Sequence, residues 1–200
     1  MAEFFPGIGK IKYEGPASKN FLAFKHYNAD QKIMGKTMKD WLRFSVAYWH
    51  TFRGTGSDPF GAGTMQRPWD DGSNSVKNAQ NRVRVAFEFI EKLGAPYYCW
   101  HDRDVAPEGK TLAESNKNFD AVAKVLKEEQ KRTGIKLLWG TANLFSHRRF
   151  MSGAASNGAA RASVETRARQ VFRMEFFPNQ GGWAIPGWDR RRDDATTAQP

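Results

Sequence analysis

Two stretches of the chain place apolar residues at the spacing of an amphipathic helix. The first covers residues 75–93 and stops before Gly94, a residue type that closes many helices in the left-handed conformation. Its apolar positions are Val76, Ala79, Val83, Ala86, Phe87, Ile90 and Leu93. The second covers about residues 112–133, after a capping-box pattern of Thr111 and Glu114. The pattern therefore predicts two capped helices, each with one buried face.

A short apolar run follows each helix. These runs, APYYCW at 95–100 and IKLLWGTA at 135–142, lack polar alternation, which is typical of strands covered on both faces. A third run, SVAYWHTF at 45–52, follows a helix start in GKTMKDWLRF at 35–44. The repeated order of helix, glycine, strand and loop predicts a parallel α/β fold, either a barrel or an open doubly wound sheet.

Two other segments interrupt this order. Residues 53–74 are rich in Gly, Pro, Ser and Asp and form a long loop, and such loops in compact domains tend to be functional. A change in composition near residues 152–157 separates residues 1–155 from an Arg-rich, diverged segment, residues 156–200. We expect this last segment to be partly disordered.

The composition is that of a globular chain with one domain: 40% of its 200 residues are hydrophobic and 26% are charged. The one cysteine, Cys99, excludes an internal disulfide and favours a reducing, cytoplasmic compartment. Its place inside a predicted strand favours a packed thiol over a nucleophile. The start of the chain lacks a signal-peptide pattern, and no apolar stretch approaches the ~20 residues of a membrane span, so we expect no membrane partner.

The formal net charge of +10 raises the question of a nucleic-acid partner. Lys and Arg are scattered along the chain, and Asp residues bracket the longest basic run, residues 190–192. The sequence has no zinc-finger spacing, no basic helix face and no aromatic RNA-binding signature. We therefore interpret the charge as a solvated basic surface and expect no nucleic-acid partner.

Candidate chemistry lies where the predicted strands end, because the carboxyl ends of parallel strands face the ligand site. These ends supply Trp49 and His50, then His101, Asp102 and Asp104, and then Trp139, Thr141, Asn143 and Phe145. An imidazole beside a carboxylate is the minimal general acid/base unit, and Asp104 is placed to fix the tautomer of His101. The structural alternative is a His held by a backbone carbonyl, and a metal site on these residues ranks below acid/base catalysis.

The tryptophans near the strand ends have two interpretations. Trp49, Trp100 and Trp139 either fill the core, which is the usual fate of Trp, or wall a pocket. An aromatic wall would stack on the apolar face of a sugar and exclude water. Their positions alone favour neither interpretation.

Four long motifs resemble xylose isomerase, in its longer class with an N-terminal extension. They are FFPGIGKIKYEG at 4–15, LRFSVAYWHTFRGTGSDPFGAGTMQRPWDDG at 42–72, HDRDVAPEG at 101–109 and LLWGTANLFSHRRF at 137–150. The resemblance covers about residues 3–155 and implies a partial (β/α)8 barrel with about three to four β/α units. It also implies interconversion of D-xylose and D-xylulose, and of D-glucose and D-fructose.

The resemblance also implies roles for single residues. His101 matches the residue that assists opening of the sugar ring, and Asp104 matches the residue that orients it. Positions near the sugar are Trp49, Trp139, Thr141, Phe145 and Trp188, and Phe60 matches a residue that reaches into a neighbouring subunit's site. Members of the family form homotetramers, so we expect a homo-oligomer.

The cofactors implied by the resemblance are two divalent cations, Mg, Mn or Co, which assist a hydride shift between C1 and C2. Their ligands belong to the second half of the family sequence and are not present here, so we assign no metal ligand and expect this chain alone to be inactive. Residues 156–200, with Pro186 in a would-be strand, indicate a frameshift, a sequencing error or divergence. The alternative function is a non-catalytic, basic fragment that binds a sugar or a polyanion.

Overall fold

The computed structural model describes residues 3–144 and 147–148. A short hairpin comes first, followed by alternating strands and helices. In chain order the elements are β1 (Lys32–Ile33), β2 (Lys36–Thr37), α1 (Met38–Trp41), β3 (Ser45–Ala47), a π-helical turn (Trp49–Arg53), α2 (Val76–Leu93), β4 (Tyr97–His101), α3 (Asp102–Val105), α4 (Leu112–Thr133) and β5 (Lys136–Thr141). The predicted division at residue 155 and the predicted disorder of residues 156–200 lie outside the described residues.

Strands β3, β4 and β5 form one parallel sheet in that order, which confirms the predicted parallel α/β class. Helix α2 lies between β3 and β4 in the chain, and α4 lies between β4 and β5. The register pairs Ala47 with Cys99, Cys99 with Trp139, and His101 with Thr141. The carboxyl ends of all three strands therefore meet at one edge of the sheet.

Helix α2 begins and ends where the sequence predicts. The Ser75 hydroxyl accepts a hydrogen bond from the backbone N–H of Asn78 at 3.1 Å, which caps the first turn. Gly94 closes the helix with a φ of 79°, a left-handed conformation that favours glycine. Local capping chemistry therefore fixes both ends of the helix that leads into β4.

Helix α4 also has its predicted bounds, but its N-terminal capping differs from a capping box. The Thr111 hydroxyl accepts from the backbone N–H of Glu114 at 3.1 Å, as expected. The Glu114 carboxylate accepts from the backbone N–H of Lys110 at 2.7 Å, one residue before the N-cap. The incoming loop packs tightly on this side chain, since a Cβ on Gly109 would lie 2.5 Å from Glu114 Cγ. Because of this close approach, the Glu114 carboxylate meets the backbone N–H of Lys110 rather than that of Thr111.

The hydrophobic core lies between the sheet and helices α2 and α4. Tyr98 and Trp100 occupy alternate positions of β4 and are fully buried on its helix-facing side. The Phe87 ring of α2 lies 5.1 Å from the Tyr98 ring, and the Phe119 ring of α4 lies 5.5 Å from the Trp100 ring, between centroids. These aromatic pairs join both helices to β4, the central strand.

The strand predicted over residues 45–52 is wrong in its second half. Strand β3 ends at Ala47, and a π-helical turn follows over Trp49–Arg53. Tyr48 and Phe52 are both 1% exposed, and their rings lie 5.1 Å apart. A strand would bury His50 on the same face as these two rings, whereas the helical turn leaves His50 exposed. Within residues 35–44, where the sequence predicts the start of a helix, the structure has strand β2 of the hairpin and the four-residue helix α1.

The N-terminal segment packs on the outer side of α2. The Glu88 carboxylate accepts from the backbone N–H groups of Phe4 and Phe5 at 2.9 and 2.8 Å. The ring of Phe5 meets the ring of Trp69 at 5.4 Å and that of Phe89 at 5.8 Å. Contacts from α2 and from Trp69 in the loop before it therefore hold this N-terminal segment. No helix in residues 3–144 has the length and apolar character to cross a membrane.

The long loop before α2 is anchored by Asp70. The Asp70 carboxylate accepts from Asn78 Nδ2 at 2.7 Å and from the guanidinium of Arg82 at 2.9 Å, and Arg82 is only 3% exposed. Burial alone would raise the pKa of Asp70, but hydrogen bonds from Asn78, Arg82 and the backbone N–H of Gly72 lower that pKa to about 2. The ionised carboxylate therefore holds the end of the loop against the first turns of α2.

We expect Asp70→Asn to lower the free energy of unfolding by roughly 1–2 kcal/mol at pH 7. The pKa of Asp70 is lower in the folded chain than in the unfolded chain. The stabilisation is therefore present above about pH 4 and is lost as the pH falls toward 2. Urea denaturation at pH 7 and pH 2.5 measures this change, with Asp120→Asn on the exposed side of α4 as the matched control. An equal difference between wild type and Asp70→Asn at both pH values would contradict the assignment.

Candidate active site

His101 and Asp104 form a hydrogen-bonded pair at the carboxyl edge of the sheet. His101 is the last residue of β4, and α3 begins at the next residue, so one turn brings Asp104 back over the strand end. Asp104 Oδ2 lies 2.9 Å from His101 Nδ1 and accepts from the His101 backbone N–H at 2.8 Å. With Nδ1 donating to the carboxylate, the neutral ring carries its lone pair on Nε2. The geometry therefore brings Asp104 against His101, and its role in orienting the imidazole stays a prediction.

Two indole rings flank the imidazole. The ring centroid of His101 lies 4.7 Å from that of Trp49 and 5.8 Å from that of Trp139. The two indoles lie 5.4 Å from each other. The His101 side chain is 18% exposed, so the group is recessed but open to a ligand. The arrangement offers one titratable nitrogen beside an aromatic wall.

Alternation along β4 separates the two interpretations of the tryptophans. Trp100 points to the helices, is fully buried and packs on Phe119, so it is a core residue. Trp49 and Trp139 are half-buried and lie on the opposite face with His101. The core interpretation therefore holds for Trp100, and the other two tryptophans have the placement of pocket walls.

The remaining predicted site residues have different placements. Thr141 ends β5 and is the register partner of His101, so it lies beside the pair. Phe60 is 97% exposed in the long loop and is not packed into the cluster. Phe145 and Trp188 lie outside the described residues, and their roles stay predictions.

Trp49 reaches the cluster through the π-helical turn, a rare element that occurs often at functional sites. The turn is followed by Gly54, whose carbonyl accepts from the guanidinium of Arg67 at 2.9 Å. A Cβ on Gly54 would lie 2.7 Å from the carbonyl oxygen of His50, so only glycine fits without a shift. Five residues are too few for a periodicity that distinguishes this turn from a strand, so the sequence analysis missed it.

Cys99, two residues before His101 on β4, and Tyr48, directly after β3, are buried and stay protonated at neutral pH. Burial raises the pKa of the Tyr48 hydroxyl far above its usual value. Burial also raises the pKa of the Cys99 thiol, whose sulfur lies 3.8 Å from the Val46 carbonyl oxygen. The predicted packed thiol is therefore confirmed.

The site can be tested for a metal centre only among the residues that the structure describes. Within residues 3–144 and 147–148, no group of three or more His, Cys, Asp or Glu side chains is placed to hold a metal ion. The Asp104 carboxylate is hydrogen-bonded to His101, and the Asp102 carboxylate accepts from Arg103 and from the backbone N–H of Asn143. We therefore derive no chemical step from a metal bound to these residues.

No protein-family model matches the chain. The chain is 58% identical to the xylose isomerase of Rhodopirellula baltica over 187 residues, which are 94% of this chain and 43% of that protein. It is 54% identical to the xylose isomerase of Arabidopsis thaliana over 191 residues, which are 96% of this chain and 40% of that protein. It is 59% identical to the xylose isomerase of Rhizobium johnstonii over 154 residues, which are 77% of this chain and 35% of that protein.

The predicted resemblance to xylose isomerases is confirmed, and the chain spans about two fifths of the length of the curated relatives it matches. This share is consistent with the N-terminal half of such a protein. The match to the Rhodopirellula protein leaves out only thirteen of the 200 residues, so it extends to residue 187 at least. The similarity is therefore longer than the four motifs alone indicate.

We expect Gly54→Ala to displace Trp49 from His101, because the added Cβ meets the His50 carbonyl oxygen and the π-helical turn must open. The two indoles shift the NMR signals of the His101 ring protons through their ring currents, so the variant should move these signals. The added methyl should also cost about 1–3 kcal/mol of stability. Gly9→Ala is the matched control, because a Cβ there meets nothing within 4 Å. Unchanged His101 signals in a folded Gly54→Ala protein would show that the turn does not position Trp49.

Proposed function

We propose that the chain is the N-terminal part of a xylose isomerase, an aldose–ketose isomerase that converts D-xylose to D-xylulose and D-glucose to D-fructose. The observation that carries the proposal is the His101–Asp104 pair between Trp49 and Trp139, on a chain 50–59% identical to xylose isomerases. The parallel sheet is then part of a (β/α)8 barrel, with about three to four β/α units in this chain.

The reaction begins with opening of the cyclic sugar, for which the pair is suited. His101 Nε2 takes the proton from the hydroxyl on C1, the C1–O5 bond breaks, and the ring oxygen receives a proton. The products of this step are an open-chain aldehyde and a regenerated imidazole. Asp104 keeps Nδ1 protonated and stabilises the imidazolium that forms transiently.

The flanking indoles bind the substrate and limit the access of water. The C–H groups of a pyranose form an apolar face that stacks on an aromatic ring, and the half-buried Trp49 and Trp139 offer two such rings. A dry wall also suits transfer of a hydride that must not exchange with solvent. We propose the following substrate-binding residues: Trp49, Phe60, Trp139, Thr141, Phe145 and Trp188.

Two divalent cations, Mg, Mn or Co, would supply polarisation of the sugar oxygens in the proposed reaction when bound. The described residues contain no cluster suited to hold them. We therefore propose that their ligands lie outside the described residues. The chain's own contribution is sugar binding and ring opening.

We also propose a homotetramer in the cytoplasm. The loop that carries Phe60 leaves this ring 97% exposed, so a neighbouring subunit can bury it. Burial of this ring by a neighbouring subunit would remove its apolar surface from water.

A second candidate function is binding without catalysis. The aromatic wall of Trp49 and Trp139 favours a fragment that binds a sugar, and the net charge of +10 favours one that binds a polyanion. The described residues contain no metal cluster. This fragment would bind sugar and leave it chemically unchanged.

Ring opening can be tested without metal, because reversible opening interconverts the α and β anomers of D-xylose. We expect the 200-residue chain to accelerate anomer exchange in NMR exchange spectra. His101→Gln should reduce this acceleration by about 100-fold or more, and Asp104→Asn by about tenfold. His26→Gln, at an exposed position, is the control.

The same samples separate the two candidate functions. Saturable binding of xylose without faster anomer exchange would favour the binding fragment. We expect no D-xylulose from the chain in the presence of Mg or Mn, so metal-dependent turnover would overturn the proposal that the metal ligands lie elsewhere.

A further inference from the structure

Asp102 is a buried carboxylate that joins the ends of two neighbouring strands. It follows His101 directly and is only 3% exposed. Its Oδ1 accepts a hydrogen bond from the backbone N–H of Asn143 at 2.8 Å. Asn143 lies two residues beyond Thr141, the last residue of β5, and the pairing of β4 with β5 ends at His101 and Thr141. The side chain therefore continues the connection between the strands past the end of the backbone ladder.

A guanidinium lies beside the Asp102 carboxylate at this buried position. The guanidinium of Arg103 lies 3.2 Å from Asp102 Oδ2 and is itself 11% exposed. Arg103 also donates to the Pro107 carbonyl at 3.3 Å, which holds the guanidinium in place. Removing the Asp102 carboxylate should cost more free energy of unfolding than removing a carboxylate on the surface, because the donors that it accepts from are left in a buried site. The hydrogen bond to Asn143 is consequently a strong connection.

The two sides of the candidate pocket lie on different strands, so their separation depends on how these strands are joined. His101 belongs to β4, while Trp139 and Thr141 belong to β5. The backbone pairing of the two strands is irregular between Tyr98 and Cys99, only a few residues before the site. The ladder ends with the pair His101 and Thr141, and the Asp102 hydrogen bond lies just beyond this last pair.

We propose that Asp102 is a positioning residue for the pocket. By holding the backbone of Asn143, it keeps the end of β5, and thereby Trp139 and Thr141, at the distance from His101 that a sugar requires. Its effect on sugar rests on the proposed function, whereas its effect on Trp139 does not. Asp102 differs from Asp104 in this respect, because Asp104 contacts the imidazole itself.

The two carboxylates should therefore have separable effects. Loss of Asp104 alters proton transfer by His101. Loss of Asp102 alters the position of Trp139 and the affinity for a sugar, including one that has no ring to open. Xylitol, an open-chain sugar alcohol, is thus the probe that isolates the positioning role.

The test compares Asp102→Ala and Asp102→Asn in the 200-residue chain, with Asp120→Asn as the exposed control. In ¹H–¹⁵N spectra of Asp102→Ala, we expect the Asn143 amide signal to move upfield and to exchange faster. The Trp139 indole signal should move, while that of the core residue Trp100 stays. The dissociation constant for xylitol should rise about tenfold, the effect of losing one charge-assisted hydrogen bond.

Asp102→Asn keeps an oxygen that can accept from Asn143, so it should restore most of the affinity, to within about threefold of wild type. This near-isosteric variant also decides the question if Asp102→Ala fails to fold. A folded Asp102 variant with unmoved Asn143 and Trp139 signals would overturn the positioning role. If the wild-type chain does not bind xylitol, the proposed function fails, and the Asn143 and Trp139 signals still decide the role of Asp102.

Discussion

The parallel pairing of three short strands is the constraint on which the site depends. Parallel strands direct their carboxyl ends to one edge, and the register of β4 with β5 sets His101 beside Thr141. Helices α2 and α4 make this pairing stable by burying Tyr98 and Trp100 on one side of β4. The other side of the same strand then faces away from the helices. One strand therefore anchors the core and presents the imidazole.

The abrupt change from aromatic to polar residues at the end of β4 has a geometric cause. A strand alternates its side chains between two faces, so Trp100 enters the core and His101 does not. The chain then turns at once into α3, and a helical step of three residues returns Asp104 to His101. A longer connection would separate the carboxylate from the imidazole. The dense polar cluster is thus the shortest way to place an acid/base pair at a strand end.

The elements that the sequence predicts well are those fixed by nearby residues. Ser75 and Gly94 bound α2 through local capping, so periodicity and residue type suffice. The π-helical turn at Trp49 was not predictable, because its shape follows from burial of neighbouring rings against α2 and the sheet. The link from Asp102 to Asn143 joins positions forty-one residues apart, and a single sequence carries no signal of such a contact. The sequence therefore predicts which residues lie near this edge of the sheet, but not the contacts that hold them.

The distribution of carboxylates divides the proposed reaction between two parts of the protein. Asp104 is committed to His101, and Asp102 is committed to Asn143 and Arg103. A metal ion on either carboxylate would compete with a hydrogen bond that orients the pocket. In the proposed reaction, cations that polarise the sugar would therefore need ligands other than Asp102 and Asp104. Ring opening by His101 would then not depend on a carboxylate that also binds a metal.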